Sequence, residues 1–268
     1  VMDRPWVILE IFSNHAQTRE AKTQVELARL KYELPRLTRM WGHLSRQRGG
    51  IGMKDVGETQ IQLDRRMIRN QIHKLEKKLV QIEKEKKTQR KNRSGVYKVA
   101  LVGYTNAGKS TLMNCLTGAD TLVEDKLFAT LDSTVRKIKK NFPYPVLLSD
   151  TVGLIDKLPH DLVASFKSTL DEVRNADLLI HVVDLSHPEY AKQMNTADHL
   201  LREMGVEDLD ILTVFNKVDA LSDIEILDQA IHAFPSSISI SCHSGQGMEF
   251  LREKIIYHYE KKLSPFRL

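Results

Sequence analysis

The stretch GYTNAGKST at 103–111 constrains the fold of this chain more than any other. It matches the pattern G-x-x-x-x-G-K-[ST], follows the apolar run VALV and opens the helix-forming run TLMNCL. In such a strand–loop–helix turn, glycines let backbone N–H groups surround phosphate oxygens, and the helix N-terminus adds a favourable dipole. The setting favours a phosphate-binding loop over a chance glycine-rich turn.

Each position of this loop is a candidate nucleotide contact. Lys109 is expected to contact the β- and γ-phosphates, and Ser110 is expected to bind Mg²⁺ through its hydroxyl. The predicted contacts are Gly103, Tyr104, Thr105, Asn106, Ala107, Gly108, Lys109, Ser110 and Thr111.

After Val96, short β-rich runs alternate with helical patterns. The runs are VYKVALV, VRKIKKNF, VLLSD, DLLIHVVD, DILTVFNK and SISIS. Strands that alternate with helices predict a mostly parallel sheet with helices on both faces. The second run alternates apolar and basic residues, as an edge strand with one solvated face does. We therefore predict an α/β domain over residues 95–268.

A second candidate element follows the run VLLSD, where Asp150 is succeeded by Thr151, Val152 and Gly153. A carboxylate here can hold the water shell of a magnesium ion, and the Gly153 amide can sense a γ-phosphate. The pattern D-x-x-G is a common turn by itself. It becomes informative because it follows the phosphate-binding loop.

NKVD at 216–219 and SCHSGQG at 241–247 complete an order of motifs that resembles the P-loop GTPases. In those proteins the Asp accepts two hydrogen bonds from guanine, Asn and Lys frame the base, and the last loop contacts it through its backbone. Adenine lacks that donor pair, so an ATPase would leave the carboxylate unpaired at about 1–3 kcal/mol or more. The resemblance implies guanine contacts at Asn216, Lys217, Asp219, Ser241, Cys242 and His243.

The residues for hydrolysis are assigned by the same resemblance. In LFATLDSTVR at 127–136, Thr130 matches the second magnesium hydroxyl of related switches, with Thr134 as the alternative. Leu154 stands where many signalling GTPases have a water-orienting glutamine, which implies slow hydrolysis without a partner. The predicted catalytic residues are Lys109, Thr130 and Gly153, and the predicted magnesium ligands are Ser110, Thr130 and Asp150.

Asn106 matches an asparagine that binds K⁺ in potassium-dependent relatives. The equally weighted alternative is a loop side chain that bonds locally.

Residues 14–94 have the periodicity of a helical hairpin. Ile68, Ile72, Leu75, Leu79 and Ile82 follow the alternating spacing of a helix that pairs with another helix. About 35 residues of helix reach roughly 50 Å. The two helical segments are joined by a glycine-rich tip, SRQRGGIGMKDVGETQ at 45–60.

The charge is uneven along the chain. Residues 1–94 hold 22 Lys and Arg against 11 Asp and Glu, a net +11, so the whole-chain charge of +5 leaves −6 for the remainder. A basic arm on an acidic domain predicts a polyanionic partner for the arm. The apolar positions of the arm are Leu, Ile and Val rather than the Trp and Phe of membrane-surface helices, which favours nucleic acid.

The arm resembles the HflX family of ribosome-associated GTPases. TREAKTQVELARLKYELPRL, LSRQRGGIG and GETQIQLDRRMIRNQI carry this resemblance, together with LFATLD and DTVGLIDKLPH. Relatives often have proline two residues before the ETQ of the tip, where this chain has Val56. Residues 1–13 match only the end of the α/β domain that precedes the arm in relatives, so a fragment is expected.

The resemblance implies a GTP-dependent factor that binds the large ribosomal subunit and its rRNA, promotes ribosome dissociation under stress, and is stimulated by the ribosome. Basic side chains can meet phosphates, while glycines let RNA approach the backbone. The predicted RNA-binding residues are Arg46, Arg48, Gly49, Gly50, Gly52 and Lys54. A solvated connector is the alternative interpretation of this loop.

Two other function classes compete with this interpretation. A GTPase accessory to RNA modification or ribosome assembly would carry a reactive group outside the GTPase domain, and residues 1–94 contain no Cys and no such motif. In a pure interaction module, the nucleotide would only stabilise the fold.

The remaining features point to a reducing compartment. Cys115 and Cys242 lie far apart in sequence with no ligand spacing, which favours small buried hydrophobes over a disulfide framework. No apolar run approaches the ~20 residues of a membrane span. A monomeric, cytoplasmic protein without membrane association is expected.

Overall fold

The computed structural model describes residues 3–37, 54–91, 95–118, 134–138, 142–154, 172–203, 205–206 and 209–263. Among these, the residues up to 91 form one compact unit and those from 95 onward form another. The two units are described in turn.

The first unit is entirely helical in its described part. Its elements are α1 (Arg4–His15), α2 (Arg19–Glu33), a 3₁₀ turn (Leu34–Arg36) and α3 (Lys54–Lys91). The helix expected from about residue 14 is therefore interrupted, because Thr18 caps a new helix by accepting a hydrogen bond from the Ala21 N–H at 3.1 Å. Helix α2 gives way to the 3₁₀ turn at Pro35, as expected from the missing proline N–H.

Helices α2 and α3 pack antiparallel through their predicted apolar faces. Two ion pairs show the antiparallel direction. Glu20 near the start of α2 pairs with Lys86 near the end of α3, and Lys31 near the end of α2 pairs with Glu76, earlier in α3, at 2.8 Å. The buried apolar side chains of these two helices are Ala21, Val25, Leu27, Ala28, Leu75 and Ile82. The helical pairing of the arm is thus confirmed, while its tip lies outside the described residues apart from the start of α3.

The second unit is built on a six-stranded sheet. Its elements are β1 (Tyr97–Val102), α4 (Lys109–Thr117), β2 (Thr134–Lys137), β3 (Val146–Asp150), β4 (Leu178–Asp184), α5 (Tyr190–Glu203), β5 (Ile211–Asn216), a 3₁₀ turn (Val218–Ala220), α6 (Ile224–Ala233), β6 (Ile238–Ser239) and α7 (Met248–Leu263). The strand order is β2-β3-β1-β4-β5-β6, and only the β2–β3 pair is antiparallel. The six predicted strands are confirmed, including β2 at the edge.

Alternate residues of the central strands pack on opposite faces of this sheet. In β1, Val99 and Leu101 join the core formed with α4 and α7, whereas Ala100 and Val102 join a second core with α5. A third cluster includes Phe215 of β5 and Ala230 of α6. The predicted P-loop GTPase fold, with a mostly parallel sheet between two helical layers, is confirmed. It places the carboxyl ends of β1, β3, β4 and β5 along one edge.

Across both units, no helix in the described ranges is long and apolar enough to span a bilayer.

Candidate nucleotide-binding site

The phosphate-binding loop occupies the turn between β1 and α4, as predicted. Two of its residues have left-handed backbone conformations, Asn106 with φ 61° and Gly108 with φ 92°. Asparagine and glycine adopt this conformation at the lowest cost. A Cβ on Gly108 would lie 2.2 Å from the Asn216 amide nitrogen, so glycine is required there for space as well as for backbone conformation.

Lys109 opens α4 and folds back over the loop. Its buried Nζ donates hydrogen bonds to the carbonyl oxygens of Gly103 at 3.2 Å and Tyr104 at 2.8 Å. Burial lowers the pKa of Lys109 to about 8, while the nearby Asp150 carboxylate raises it in part. The loop thus holds an ammonium group, and bound phosphates would stabilise its positive charge.

Ser110 and Asp150 meet across the carboxyl edge of the sheet. The Ser110 hydroxyl donates to the Asp150 Oδ2 at 2.6 Å, and Asp150 is buried at the end of β3. A hydroxyl and a carboxylate are hard oxygen ligands of the kind that Mg²⁺ prefers. Two of the three residues predicted as magnesium ligands therefore lie together and fit that ion in chemistry.

The segment after β3 is joined to the phosphate-binding loop by its backbone. The Leu154 N–H donates to the Gly103 carbonyl at 3.0 Å, and the Thr105 N–H donates to the Leu154 carbonyl at 2.9 Å. A Cβ on Gly153 would lie 2.7 Å from the Thr105 Cα, so any larger residue would push these segments apart. Leu154 itself is buried and offers no polar group toward a water.

Asn216 connects two loops at the other end of the site. Its Nδ2 donates to the Ala107 carbonyl at 3.0 Å, and its Oδ1 accepts from the Cys242 N–H at 3.2 Å. Asn216 is buried at the end of β5. Its amide therefore holds the phosphate-binding loop and the last loop together, a role that the motif NKVD alone did not reveal.

Lys217 and Asp219 lie on the rim of the site. Lys217 has a left-handed backbone with φ 64°, and its Nζ lies 2.7 Å from the Asp184 Oδ2. A hydrogen bond from Ser241 is the main cause that lowers the pKa of Asp219. The Asp219 side chain is 32% exposed, so its carboxylate is ionised and accessible to a ligand. His243 approaches it at 3.7 Å but is 92% exposed, so this contact carries little energy.

The last loop is closed by its own hydrogen bonds. The Ser241 N–H donates to the Gln246 carbonyl at 3.0 Å, and the Gly245 N–H donates to the Ser241 carbonyl at 2.9 Å. Ser241 is fully buried, whereas Cys242 and His243 follow toward the rim.

Two further residues were missed by sequence reasoning. Asp184 at the end of β4 pairs with Lys217. Only the register of the sheet, in which Asp184 lies beside Asn216, could have indicated this ion pair. His181 is buried in β4, where burial and then the charge of Lys109 lower its pKa to about 4. A neutral imidazole at physiological pH is thus part of the packing behind the loop.

The predicted site residues fall into two groups. The described ones lie at the carboxyl edge of the sheet: Gly103 to Thr111, Asp150, Gly153, Asn216, Lys217, Asp219, Ser241, Cys242 and His243. Thr130 and the RNA-binding residues Arg46, Arg48, Gly49, Gly50 and Gly52 lie outside the described residues. Lys54 is the first residue of α3.

Two family models match the chain in consecutive segments. Residues 15–93 match the model described as "GTP-binding GTPase Middle Region", and residues 98–217 match the model described as "50S ribosome-binding GTPase". A protein named GTPase HflX from Magnetococcus marinus is 50% identical over 258 residues, which cover 95% of this chain and 60% of the relative. This chain belongs to the HflX family of GTPases.

The resemblance seen in the sequence is thereby confirmed. A second HflX, from Flavobacterium psychrophilum, is 54% identical over 227 residues, which cover 84% of this chain and 54% of the relative. The chain thus spans a little over half the length of the curated HflX proteins that it matches. A GTP-binding protein from Sulfolobus solfataricus, solved in complex with GDP, has a TM-score of 0.60 and is 30% identical over 97% of this chain and 73% of its own.

Proposed function

We propose that this chain is a GTP hydrolase that binds GTP and GDP with Mg²⁺ and, in its GTP state, binds the large ribosomal subunit and promotes ribosome dissociation. The observation that carries the nucleotide part is the Asn216 clamp, the two hydrogen bonds by which the buried Asn216 amide joins Ala107 of the phosphate-binding loop to Cys242 of the last loop. Asp219 follows Asn216 by three residues, and Ser241 of the last loop is the main cause that lowers its pKa. Membership of the HflX family supports the ribosomal part.

In this proposal each residue acts on a defined part of GTP. The Asp219 carboxylate accepts hydrogen bonds from the two adjacent N–H groups of guanine, and Lys109 moves from its carbonyl partners to the β- and γ-phosphates. Ser110 and Asp150 would hold a magnesium ion, which would supply positive charge to those phosphates. The Gly153 amide senses the γ-phosphate. Thr130 supplies a further hydroxyl to the metal.

Hydrolysis is slow without a partner in this scheme. The buried Leu154 side chain has no group that can orient the attacking water, so another group must do so. The ribosome is the proposed source of stimulation. Asn106 is a candidate ligand for K⁺, because its side chain is exposed and makes no hydrogen bond within the described part of the chain. Faster GTP turnover in KCl than in NaCl supports this ligand, and equal rates exclude it.

The proposed ribosome contact is the basic tip at 45–60, which follows α2 and ends in α3. Arginine and lysine neutralise rRNA phosphates, so binding by Arg46, Arg48 and Lys54 must weaken as salt rises. A factor of this kind acts as a monomer in the cytoplasm, where ribosomes are available. Hydrolysis releases the switch segments and lowers the affinity for the ribosome.

The test is co-sedimentation with purified ribosomal subunits in the presence of a non-hydrolysable GTP analogue or GDP. We expect binding to the large subunit, with a preference for the analogue. Equal binding to both subunits or in both nucleotide states rejects the proposal. Light scattering of intact ribosomes in the same two states then measures dissociation.

A matched pair of variants separates the tip from general charge. Arg46→Ala with Arg48→Ala should weaken large-subunit binding and flatten its salt dependence, while GTP affinity stays constant. Arg66→Ala with Arg69→Ala removes the same charge from exposed positions of α3. Equal losses in the two double variants would show that the tip has no specific role.

A further inference from the structure

The two cysteines of the chain lie together, although they are separated by 127 positions. Cys115 lies on α4, and its thiol donates to the Cys242 carbonyl oxygen at 3.5 Å. Both side chains are partly buried against the same core of the second unit, and both are free thiols. The expectation that they pack as small hydrophobes is met, but the fold also makes them neighbours.

Their surroundings favour reaction at Cys115. The neighbouring Cys242 side chain lowers the pKa of Cys115, burial opposes this, and the positive charge of Arg252 adds to the lowering. The same contact raises the pKa of Cys242. The Arg252 Nε is buried and has no hydrogen-bond partner within the described residues, whereas the Nη1 of the same guanidinium pairs with Glu249. A partly exposed thiolate is the form of cysteine that attacks peroxides.

The pair also bridges the two ends of the nucleotide site. Cys115 belongs to the helix that begins with Lys109 and Ser110, and Cys242 belongs to the last loop. The Cys242 N–H donates to Asn216, and the preceding Ser241 is the main cause that lowers the pKa of Asp219. A covalent bond between the sulfurs would therefore act on the backbone of the loop that neighbours the guanine-binding carboxylate.

We propose that Cys115 and Cys242 form a reversible disulfide when the protein meets hydrogen peroxide, and that this bond weakens guanine-nucleotide binding. The effect on nucleotide binding rests on the proposed function, whereas formation of the disulfide does not.

The chemistry balances in two steps. The Cys115 thiol loses its proton, the thiolate attacks one peroxide oxygen, the O–O bond breaks, and a sulfenic acid forms while the leaving hydroxide takes up that proton as water. The Cys242 sulfur, losing its proton, then attacks the sulfenic sulfur and displaces hydroxide, which takes up that proton as a second water. Two thiols and one peroxide thus give one disulfide and two waters. An S–S bond of about 2.05 Å draws the last loop toward α4.

The experiment treats the reduced, nucleotide-free protein with hydrogen peroxide, blocks free thiols and maps peptides by mass spectrometry without reductant. We expect a peptide linking Cys115 to Cys242. We also expect the affinity for a fluorescent GTP analogue to fall about tenfold, the effect of losing about one hydrogen bond to a charged group, and to recover with dithiothreitol. Absence of the linked peptide overturns the proposal, and so does a linked protein of unchanged affinity.

Cys115→Ala is the control variant, because this side chain lies outside the nucleotide contacts. It should bind the analogue like the reduced wild-type protein and show no change after peroxide treatment. Equal loss of affinity in this variant assigns the effect to another site and overturns the proposal. If the reduced wild-type protein binds no guanine nucleotide, the proposed function fails, while peptide mapping still decides whether the disulfide forms.

Discussion

The Asn216 side-chain amide lies 3.0 Å from the Ala107 carbonyl oxygen and accepts the Cys242 N–H at 3.2 Å, so one buried group ties two loops of the site together. Asn216→Ala removes the hydrogen-bond partner of both backbone groups. Each buried group that stays unsatisfied lowers the free energy of unfolding by about 1–3 kcal/mol. We expect urea unfolding to show this loss and GTP affinity to fall with it. Unchanged stability together with lost binding would instead assign Asn216 a direct contact with the base.

Asp219 should decide which base binds. Asp219→Asn keeps one acceptor but turns an N–H group toward the amino group of guanine, so GTP affinity should fall about tenfold or more. Xanthine has a carbonyl oxygen at that position and should bind the variant better than the wild-type protein. The ratio of the affinity for GTP to the affinity for xanthosine triphosphate measures this change in base preference.

Asp223→Asn is the matched control for this change, because Asp223 caps α6 through the Glu225 N–H at 2.9 Å and loses the same charge. It should leave the ratio of the two affinities unchanged. A similar shift in both variants would mean that net charge, and not the shape of the base, governs selection.

Gly108 is predicted to tolerate no side chain. In Gly108→Ala the added Cβ lies 2.2 Å from the Asn216 Nδ2 and the backbone keeps a φ of 92°, so the clamp must shift. We expect GTP binding to be lost, as measured by fluorescence titration. Gly205→Ala also has a positive φ, 66°, but its Cβ would meet no atom within 4 Å. This control should cost only about 1–2 kcal/mol of strain and retain binding.

GTP affinity should depend on pH through Lys109. Burial lowers the pKa of Lys109 to about 8 in the free protein, and bound phosphates stabilise the ammonium, so binding takes up a proton above that pH. Affinity is then constant below pH 8 and falls by up to about tenfold per unit above it. The free protein has the opposite trend: because the unfolded chain holds this proton more tightly, the free energy of unfolding rises with pH above 8.

Fluorescence titration between pH 7 and 9 checks this dependence. Lys109→Arg keeps its positive charge over the whole range, so its GTP affinity should lose the part of the pH dependence that comes from Lys109. Titration of guanine itself affects the affinity of both proteins equally. Proton uptake, obtained calorimetrically in two buffers of different ionisation enthalpy, supplies a measurement on the wild-type protein. Equal slopes in the two proteins, with no proton uptake near pH 8.5, contradict the assignment.

Local patterns predicted the sheet and the loops, because each depends on residues that are close in sequence. The runs of β1 and β4 are apolar since both faces are covered, and the basic alternation of β2 marks an edge. The break between α1 and α2 contains no glycine or proline, and only the Thr18 cap marks it. The contact of Cys115 with Cys242 depends on how distant segments pack, and no local pattern encodes it.

The pairing of α2 with α3 gives the last prediction. Leu75 is 8% exposed in the apolar stripe of α3, whereas Leu63 on the same helix is 51% exposed. Leu75→Ala should therefore destabilise the arm by about 2–5 kcal/mol, because it opens a cavity against α2. Leu63→Ala should change its stability by less than about 0.5 kcal/mol. Hydrogen exchange of the α2 and α3 amides in the whole chain measures both, and equal protection in the two variants would contradict the packing of Leu75 against α2.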